Sequence, residues 1–563
     1  MHPAGPPHSR SRGGASGFVA VLLLALALAH IRYLWFVCDD AYITYRYASN
    51  LAHGLGPVWN AGERVEGYTN FLWMLVAAVV ARSGGRPEAM MPVLSAACAL
   101  GTIAAIALGL RRRGSAGSYA AALLATSSGF AAWATGGLET AAFTLLVTLG
   151  FLATASAWRA EPAPPRTNPG TQPAASSPDV RALLLGAVCL ALAALTRPEG
   201  LLVTAAMFAF LAWRARRGSL EPGVLGAWAL TVFALVAGHV AWRVSYYGRW
   251  LPNTAAAKAP GLGSLAAGAA YVLDAFRSQQ LWLWLVPIAI AAALGRRSGH
   301  STAGTRSFPE GALIAAVVVP YLAYVCLTGG DFMPLHRFVV PILPLLAVAA
   351  GSALDALANG TPSGARRRGM APAVAGTLFA AAIVVAFAVL DLRASKHEQE
   401  SWTRGDLESI GLTRQNAEHW GRAGRRLREI TLPTDTLATT AAGVIPYETG
   451  LYTIDLLGLT APALSRYRAR DTHRAGHSLY LEGEWLAAHP PQILLGHPEV
   501  RTTMTGLGLA LDLEPRWRDP LLAHYGLIGL GLPGNPQLYV ACAVRSDVLA
   551  RVEQASKRPS AMR

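Results

Sequence analysis

The sequence predicts a polytopic α-helical membrane protein of about eleven spans with a small α/β domain at its C-terminal end. Three observations carry the prediction. Only 14% of the 563 residues are charged and 53% are hydrophobic, with a mean hydropathy of +0.34, whereas a soluble domain is about 25% charged. The formal charge of +15 forms no single basic face. It recurs as short clusters between apolar runs: RSR at 10–12, RRR at 111–113, RARR at 214–217, GRR at 295–297 and RRR at 366–368. After residue 391 the long apolar runs stop.

In chain order, residues 1–16 read as a disordered cytoplasmic N-terminus and 17–391 as the membrane domain. A span needs about 20 apolar residues, or fewer when buried among others. The candidates are 17–37, 89–110, 117–136, 138–158, 181–196, 200–213, 223–245, 281–295, 311–328, 338–357 and 371–391. The first is too long for a signal-peptide core and has no clear small-residue cleavage site, so it reads as retained. FLWMLVAAVVA at 71–81 is half a span and reads as a helix lying at the interface. With the N-terminus in the cytoplasm, every Arg cluster falls on the inner side, as does the Pro/Ser/Thr-rich linker 159–181. An odd number of spans then leaves 392–563 outside. That tail is richer in charge, His, Gly and Pro, and a helix followed by short strands predicts an α/β domain. The last dozen residues read as a solvated end.

Basic residues scattered as loop punctuation argue against a nucleic-acid partner and for a lipid bilayer. Cys98, Cys189 and Cys326 lie in apolar runs as small core residues, while Cys38 and Cys542 fall on the outer side, which leaves a bridge between them open without other support in the sequence.

Nearly every other polar motif falls on the outer face. The first outer loop, 38–88, carries DDAYITYRYASNLAHGLGPVWNAGERVEGYTNFLW, beginning at Asp39 and Asp40. Later loops carry GGLET with Glu139, TRPEG with Arg197 and Glu199, SYYGRWLPNTAAAK with Lys258, and GGDFMPLHRF with Asp331, His336 and Arg337. Charged groups at membrane depth are costly and line cavities rather than face lipid. One outward-facing polar site is therefore a cheaper explanation than five. Each motif also has a bland reading. Asp39 and Asp40 would cap a helix starting near Ala41. WNAGERVEGYTN would be a Gly-rich turn. TRPEG would be a tight connection with Pro198 opening a helix. The aromatic residues would form an interfacial belt, and His336 and Arg337 would meet lipid phosphate. These readings weaken together, because the inner loops show no comparable variety.

The chemistry follows from the residue types. A carboxylate serves as general base for a hydroxyl, while Arg and Lys hold a phosphate leaving group. Aromatic rings suit sugar faces, and a bundle cavity open sideways admits a lipid chain. The acidic pair leaves a divalent cation (Mg, Mn or Ca) open, although two carboxylates are not a metal signature. The expectation is transfer of a group from a lipid-phosphate donor to a hydroxyl outside the membrane.

On these residues the sequence resembles the GT-C superfamily of polyprenyl-phosphate-sugar-dependent glycosyltransferases. The first-loop motif, followed in order by GGLET, LTRPEG, YYGRWLPNTAAAK, GGDFMPLHRF and GVIPYETGLYTIDLLGLT, resembles the AftB-like group of terminal β-(1→2)-arabinofuranosyltransferases over about residues 18–500. The resemblance implies a GT-C bundle in a bacterial inner membrane with an extracytoplasmic C-terminal domain, 392–563. It also implies a decaprenyl-phosphate-type sugar donor and a cell-envelope glycan acceptor. Asp39 or Asp40 would be the catalytic carboxylate, the first preferred. Arg197, Lys258, His336 and Arg337 would contact donor phosphate. Tyr45, Arg46, Glu66, Tyr68, Asn70, Glu139, Glu199, Asp331 and His477 would shape the sugar or acceptor pocket. In two respects the sequence departs: a GHE-like element reads Gly476-His477-Ser478, and the spans are short and rich in Ala and Arg. Arabinose is accordingly a weaker expectation than a lipid-linked pentose or hexose.

Transfer to lipid A or to protein would present the same outer site. A transporter or flippase would show repeated halves and broken helices near the midplane, and no repeat is present. A scaffold or receptor would leave the acidic pair unexplained.

Overall fold

The computed structural model describes residues 12–158, 178–257, 264–297, 310–359, 370–404, 407–469, 479–505, 508–532, 534, 537–558 and 560. Most of the expected N-terminal segment, most of the 159–181 linker, Lys258 and His477 lie outside the described residues.

Helix α1 (Arg12–Tyr33) leads into a first loop that itself folds into α2 (Asp39–Ala52) and α3 (Phe71–Arg82). The bundle continues with α4 (Pro87–Gly109), α5 (Ala116–Ala125), α6 (Ser128–Ala132), α7 (Thr140–Ser156), α8 (Val180–Thr196), α9 (Glu199–Arg216) and α10 (Pro222–Tyr247). After α11 (Asn253–Ala257) and α12 (Ser264–Ser278) come α13 (Trp282–Arg297) and α14 (Glu310–Thr328). A 3-10 turn at Arg337–Ile342 then runs into α15 (Leu343–Asn359), and α16 (Met370–His397) closes the bundle. Each of the eleven expected spans falls on this helical framework. Five stretches, 87–109, 222–247, 310–328, 337–359 and 374–397, are long and apolar enough to cross a membrane, and shorter apolar helices of 10–17 residues accompany them.

The run expected as one span at 117–136 is two helices, broken after Ala125. Interrupting a helix among apolar side chains frees backbone groups that need partners inside the protein. Here Asp391 of α16, fully buried, accepts the Ser128 amide at 2.6 Å and the Ser128 hydroxyl at 3.0 Å. Small residues bring helices close elsewhere: a Cβ on Gly351 would lie 2.5 Å from the Ala116 carbonyl, so α15 meets α5 backbone to backbone. At the end opposite the first loop, Arg113 pairs with Glu310, and the Ser115 amide donates to Asp355 at 2.8 Å. Helix α12 was not expected from the sequence. It packs along the end of α14, where Tyr271 donates to Asp331 at 2.9 Å.

Beyond α16 the chain changes architecture. A small hairpin, β1 (Thr403–Arg404) and β2 (Leu407–Glu408), precedes α17 (Ile410–Ile430). Then follow β3 (Thr436–Thr439), α18 (Val444–Thr449), β4 (Tyr452–Asp455), the paired β5 (Tyr467–Ala469) and β6 (Leu479–Leu481), α19 (Gly483–Ala488), β7 (Ile493–Gly496), β8 (Val500–Arg501), α20 (Pro515–Leu522), β9 (Tyr525–Leu532), β10 (Leu538–Arg545) and α21 (Ser546–Ser556). The main sheet runs β4-β3-β7-β10-β8, with β9 also on β10; β3 is parallel to β4 and β7, and β10 antiparallel to its partners. Ile493, Leu494 and Leu495 are all buried, as a strand covered on both faces requires. Helix α17 covers the sheet with Trp420, Ala423, Leu427 and Ile430, spaced three and four apart. Cys38 and Cys542 are both buried free thiols.

The α/β region rests directly on the first loop. Arg46 donates to the Pro446 and Leu451 carbonyls at 2.5 and 2.6 Å, to Trp59 O at 2.7 Å and to Asn60 Oδ1 at 3.1 Å. Tyr447 donates to Glu88 at 2.7 Å, and Asn60 donates to Thr453 O at 2.9 Å.

Candidate active site

Asp39 and Asp40 form the first turn of α2, after an N-cap at Cys38 that makes no side-chain cap bond. Acidic groups there suit the helix dipole, yet neither carboxylate caps its own helix, contrary to the bland reading. The helical period of 3.6 residues instead sends the two to different neighbours. Asp39, Tyr42 and Arg46 share the face toward α18, whereas Asp40, Ile43 and Thr44 face a cavity. Asp39 accepts the Val444 amide at 2.7 Å and the Gly443 amide at 3.1 Å, one on each oxygen, and so caps α18. A Cβ on Gly443 would lie 2.6 Å from the Asp39 carboxyl carbon, so only glycine permits this approach. Burial raises the Asp39 pKa to about 7; the nearby Asp40 and Glu408 charges add to that, and the two amides oppose it.

Two cavities meet at Asp40. The membrane-side cavity, about 460 Å³, is walled by α2, the α8–α9 turn, α10, α11 and α14, and Leu201, on its wall, is half exposed on the outer surface of the bundle. The junction cavity, about 160 Å³, lies between the bundle and the α/β region and includes Asp39, Asp331, Glu408, Thr440 and His497. Asp40, Ile43, Arg337, Phe338 and Leu459 line both.

The cationic groups of the membrane-side cavity are held by carboxylates. Arg197 lies between two spans, 2.8 Å from Glu139 and 2.8 Å from Glu199, and Asn70 donates to the other Glu139 oxygen at 2.8 Å and to Thr44 at 3.0 Å. Arg337 meets Asp331 at 2.9 Å and lies over the Trp133 and Phe338 rings. The backbone before it is in the left-handed region at both Leu335 and His336, φ 51°, a conformation that branched or bulky residues rarely adopt. Gln279 donating to Leu335 O and Trp133 donating to Pro334 O hold that turn. Arg243 of α10 forms a two-point pair with Glu66, at 2.6 and 3.1 Å, and His239 one turn earlier lies 3.1 Å from the same guanidinium.

Of the residues singled out in the sequence, Asp40, Tyr68, Asn70, Glu139, Arg197, Glu199 and Arg337 line the membrane-side cavity, and Asp39, Asp40, Asp331 and Arg337 line the junction cavity. Glu66 stands behind Arg243. Three lie elsewhere. Tyr45 is buried and donates to Gly137 O at 3.0 Å, Arg46 is consumed in the contact with the α/β region, and His336 sits 3.1 Å from Asp274, outside both cavity walls. Sequence reasoning missed His239 and Arg243, which lie in an apolar span, and Glu408 and His497, contributed by the tail. Among the described residues no three His, Cys, Asp or Glu side chains group as metal ligands, and both Asp39 oxygens are engaged by amides. Among the described residues the donor set for a divalent cation is not assembled.

Residues 409–539 match a domain of unknown function (DUF8728). The chain is 28% identical over 374 residues to a terminal β-(1→2)-arabinofuranosyltransferase of Corynebacterium glutamicum, covering 60% of this chain and 52% of the relative. It is 28% identical over 348 residues to the Mycobacterium tuberculosis protein of the same name, covering 55% of this chain and 51% of that one. The chain thus spans about half the length of the curated relatives it matches. Among solved structures, ArnT from Cupriavidus metallidurans bound to undecaprenyl phosphate superposes with a TM-score of 0.57 at 11% identity, covering 95% of this chain and 99% of that one. The apo form of the same protein gives 0.56 at 13% identity, covering 94% and 98%. This chain is therefore a multi-pass membrane protein with the GT-C fold, and its sequence is similar to terminal arabinofuranosyltransferases.

Proposed function

We propose that the chain is a glycosyltransferase that moves a sugar from a polyprenyl-phosphate donor to a hydroxyl of a cell-envelope glycan. It would act at the outer face of a bacterial inner membrane, with the α/β region outside. The observation that carries this reading is the position of Asp40, on the shared wall of a cavity among membrane helices and a cavity under the α/β region. The names of the curated relatives support arabinofuranose as the sugar, and the undecaprenyl phosphate of the ArnT complex supports the class of lipid.

In this reading the donor enters sideways between bundle helices and lays its phosphate and sugar along the membrane-side cavity. The acceptor reaches Asp40 through the junction cavity. Asp40 takes the proton of the acceptor hydroxyl as that oxygen bonds to the anomeric carbon and the bond from this carbon to phosphate oxygen breaks. The leaving polyprenyl phosphate carries the negative charge, which Arg337 on the shared wall would stabilise. Arg197, already balanced by Glu139 and Glu199, fits a role in ordering sugar contacts better than in neutralising phosphate. Asp39 positions its neighbour by fixing the first turn of α2 to α18.

The test is transfer by the purified protein from a panel of polyprenyl-phosphate sugars, beside Asp40→Asn. This substitution keeps the shape and removes the base, so turnover should fall by about a hundred- to ten-thousand-fold. Undiminished turnover in Asp40→Asn would exclude the general-base role.

A further inference from the structure

A further cavity, of about 240 Å³, lies at the end of α10. The helix stops at Gly248, left-handed at φ 70°, and Arg249 and Leu251 just beyond it line the cavity together with Glu63, Arg64 and Glu66 of the first loop. Leu251 also lines the membrane-side cavity, so the two are neighbours. Paired side chains form the boundary. Glu66 faces the new cavity while its partner Arg243 faces the membrane-side one. Likewise the Tyr247 hydroxyl on this side lies 3.1 Å from that of Tyr68 on the other. Glu66, Tyr68 and Tyr247 are all buried, so an occupant of this cavity is kept apart from Asp40.

Its lining carries an excess of one positive charge. Arg249 donates only to neutral acceptors, Asn253 Oδ1 at 3.1 Å and Pro462 O at 3.3 Å, and Arg64 lies over the Tyr246 ring at 4.8 Å. Among the described residues neither guanidinium pairs with a carboxylate. Glu66 is matched by Arg243, which leaves Glu63, held by Tyr452 at 2.6 Å and Asn60 at 3.0 Å, as the one carboxylate set against two arginines. The surroundings are apolar and open. Trp250 and Leu251 are 73% and 68% exposed, and so is Leu55 at 53%, on the turn that the Tyr247 hydroxyl holds through Pro57 O at 2.6 Å. Because the apolar stretch 222–247 ends here, these side chains stand where a membrane span meets the headgroup zone. We infer that this cavity binds the phosphodiester headgroup of an anionic glycerophospholipid from the surrounding leaflet. One phosphodiester carries the single negative charge that the lining lacks, and two guanidiniums supply N–H donors to its oxygens. The acyl chains would lie over Leu55, Trp250 and Leu251. At about 240 Å³ the cavity is below the roughly 300–1,000 Å³ of an ordinary small-molecule site, which suits a headgroup better than a phosphate bearing a sugar. The bound lipid would tie the first loop to the end of α10, one wall of the membrane-side cavity.

The full-length protein, stripped of lipid in detergent, is titrated with dioleoyl phosphatidylglycerol and followed by native mass spectrometry. Dioleoyl phosphatidylcholine serves as the zwitterionic comparison, and glycerophosphoglycerol as the headgroup without chains. The variants are Arg64→Gln with Arg249→Gln, and Arg64→Lys with Arg249→Lys, which keeps the charge; melting temperatures in the absence of lipid show whether each is folded. The expected result is one phosphatidylglycerol held by the wild type about tenfold or more tighter than phosphatidylcholine. The glutamine pair should lose that preference and the lysine pair retain most of it. Equal phosphatidylglycerol binding by the wild type and the glutamine pair would overturn the site, and equal binding of the two lipids by the wild type would overturn its charge selectivity. Binding of glycerophosphoglycerol as tightly as the lipid would reassign the cavity to a soluble phosphodiester. Displacement of the bound lipid by an equimolar polyprenyl-phosphate sugar would reassign it to the donor. None of these outcomes depends on transfer activity.

Discussion

Burial disfavours the charged form of the Asp39 carboxyl while two amides favour it, and this gives it a pH signature. An acid whose folded pKa lies above its unfolded value stabilises the fold below the unfolded value and loses that contribution as pH rises through the folded one. For Asp39 the window runs from 3.8 to about 7. Wild-type thermal stability, measured relative to Asp39→Asn, should therefore decline across that window, because the amide does not titrate. A difference between the two melting temperatures that stays flat from about pH 4 to pH 8 would count against a buried, titrating Asp39. The sequence marks the acidic pair as a candidate site, but it does not tell which carboxylate meets amides and which faces the cavities. Which carboxylate meets amides depends on residues 443 and 444, and no local pattern near Asp40 encodes them. Tyr45 and Arg46 show the same limit. They look like pocket residues in a motif-rich loop, yet the turn of α2 carries them away from the cavity that Asp40, Ile43 and Thr44 line.

At the level of elements, apolar periodicity located the spans because a lipid-exposed helix needs little more than length and hydropathy. It failed where tertiary contacts override the pattern. The 117–136 run reads as continuous, and its break after Ala125 is stabilised by Asp391 some 263 residues further on. Asp391→Ala leaves the Ser128 amide and hydroxyl buried without that acceptor, a loss of about 1–3 kcal/mol. It should appear as a lower melting temperature, and an unchanged midpoint would mean that the broken helix needs no such partner. In α10 the opposite error occurs. His239 and Arg243, four apart in an otherwise apolar run, are the mark of a cavity-facing stripe. That spacing was the available signal, and reading 223–245 as a plain lipid span concealed it.

For the whole molecule, charge distribution predicted sidedness. The turn at 110–115, the start of α14 and the end of α15 are joined by Arg113–Glu310 and Ser115–Asp355 contacts, as loops on one side must be. We expect a cysteine at Arg111 to be shielded from a membrane-impermeant thiol reagent in intact cells and one at Arg516 to react. Labelling of both, or of Arg111 alone, would reverse or abolish the proposed orientation. The partners of the first loop could not be foreseen, because they come from the far end of the chain. The bond from the Arg46 guanidinium to the Leu451 carbonyl spans 405 residues, and so does the bond from the Val444 amide to Asp39. During synthesis, the first loop therefore emerges with a guanidinium and a carboxylate whose eventual partners have yet to be made. Every helix of the bundle must be inserted before α18 arrives to meet them. The two groups would have to stay hydrated through that interval, so the end of the bundle that carries Asp40 would be the last part to close, and a ribosome stalled before residue 443 would leave the acidic pair exposed to solvent.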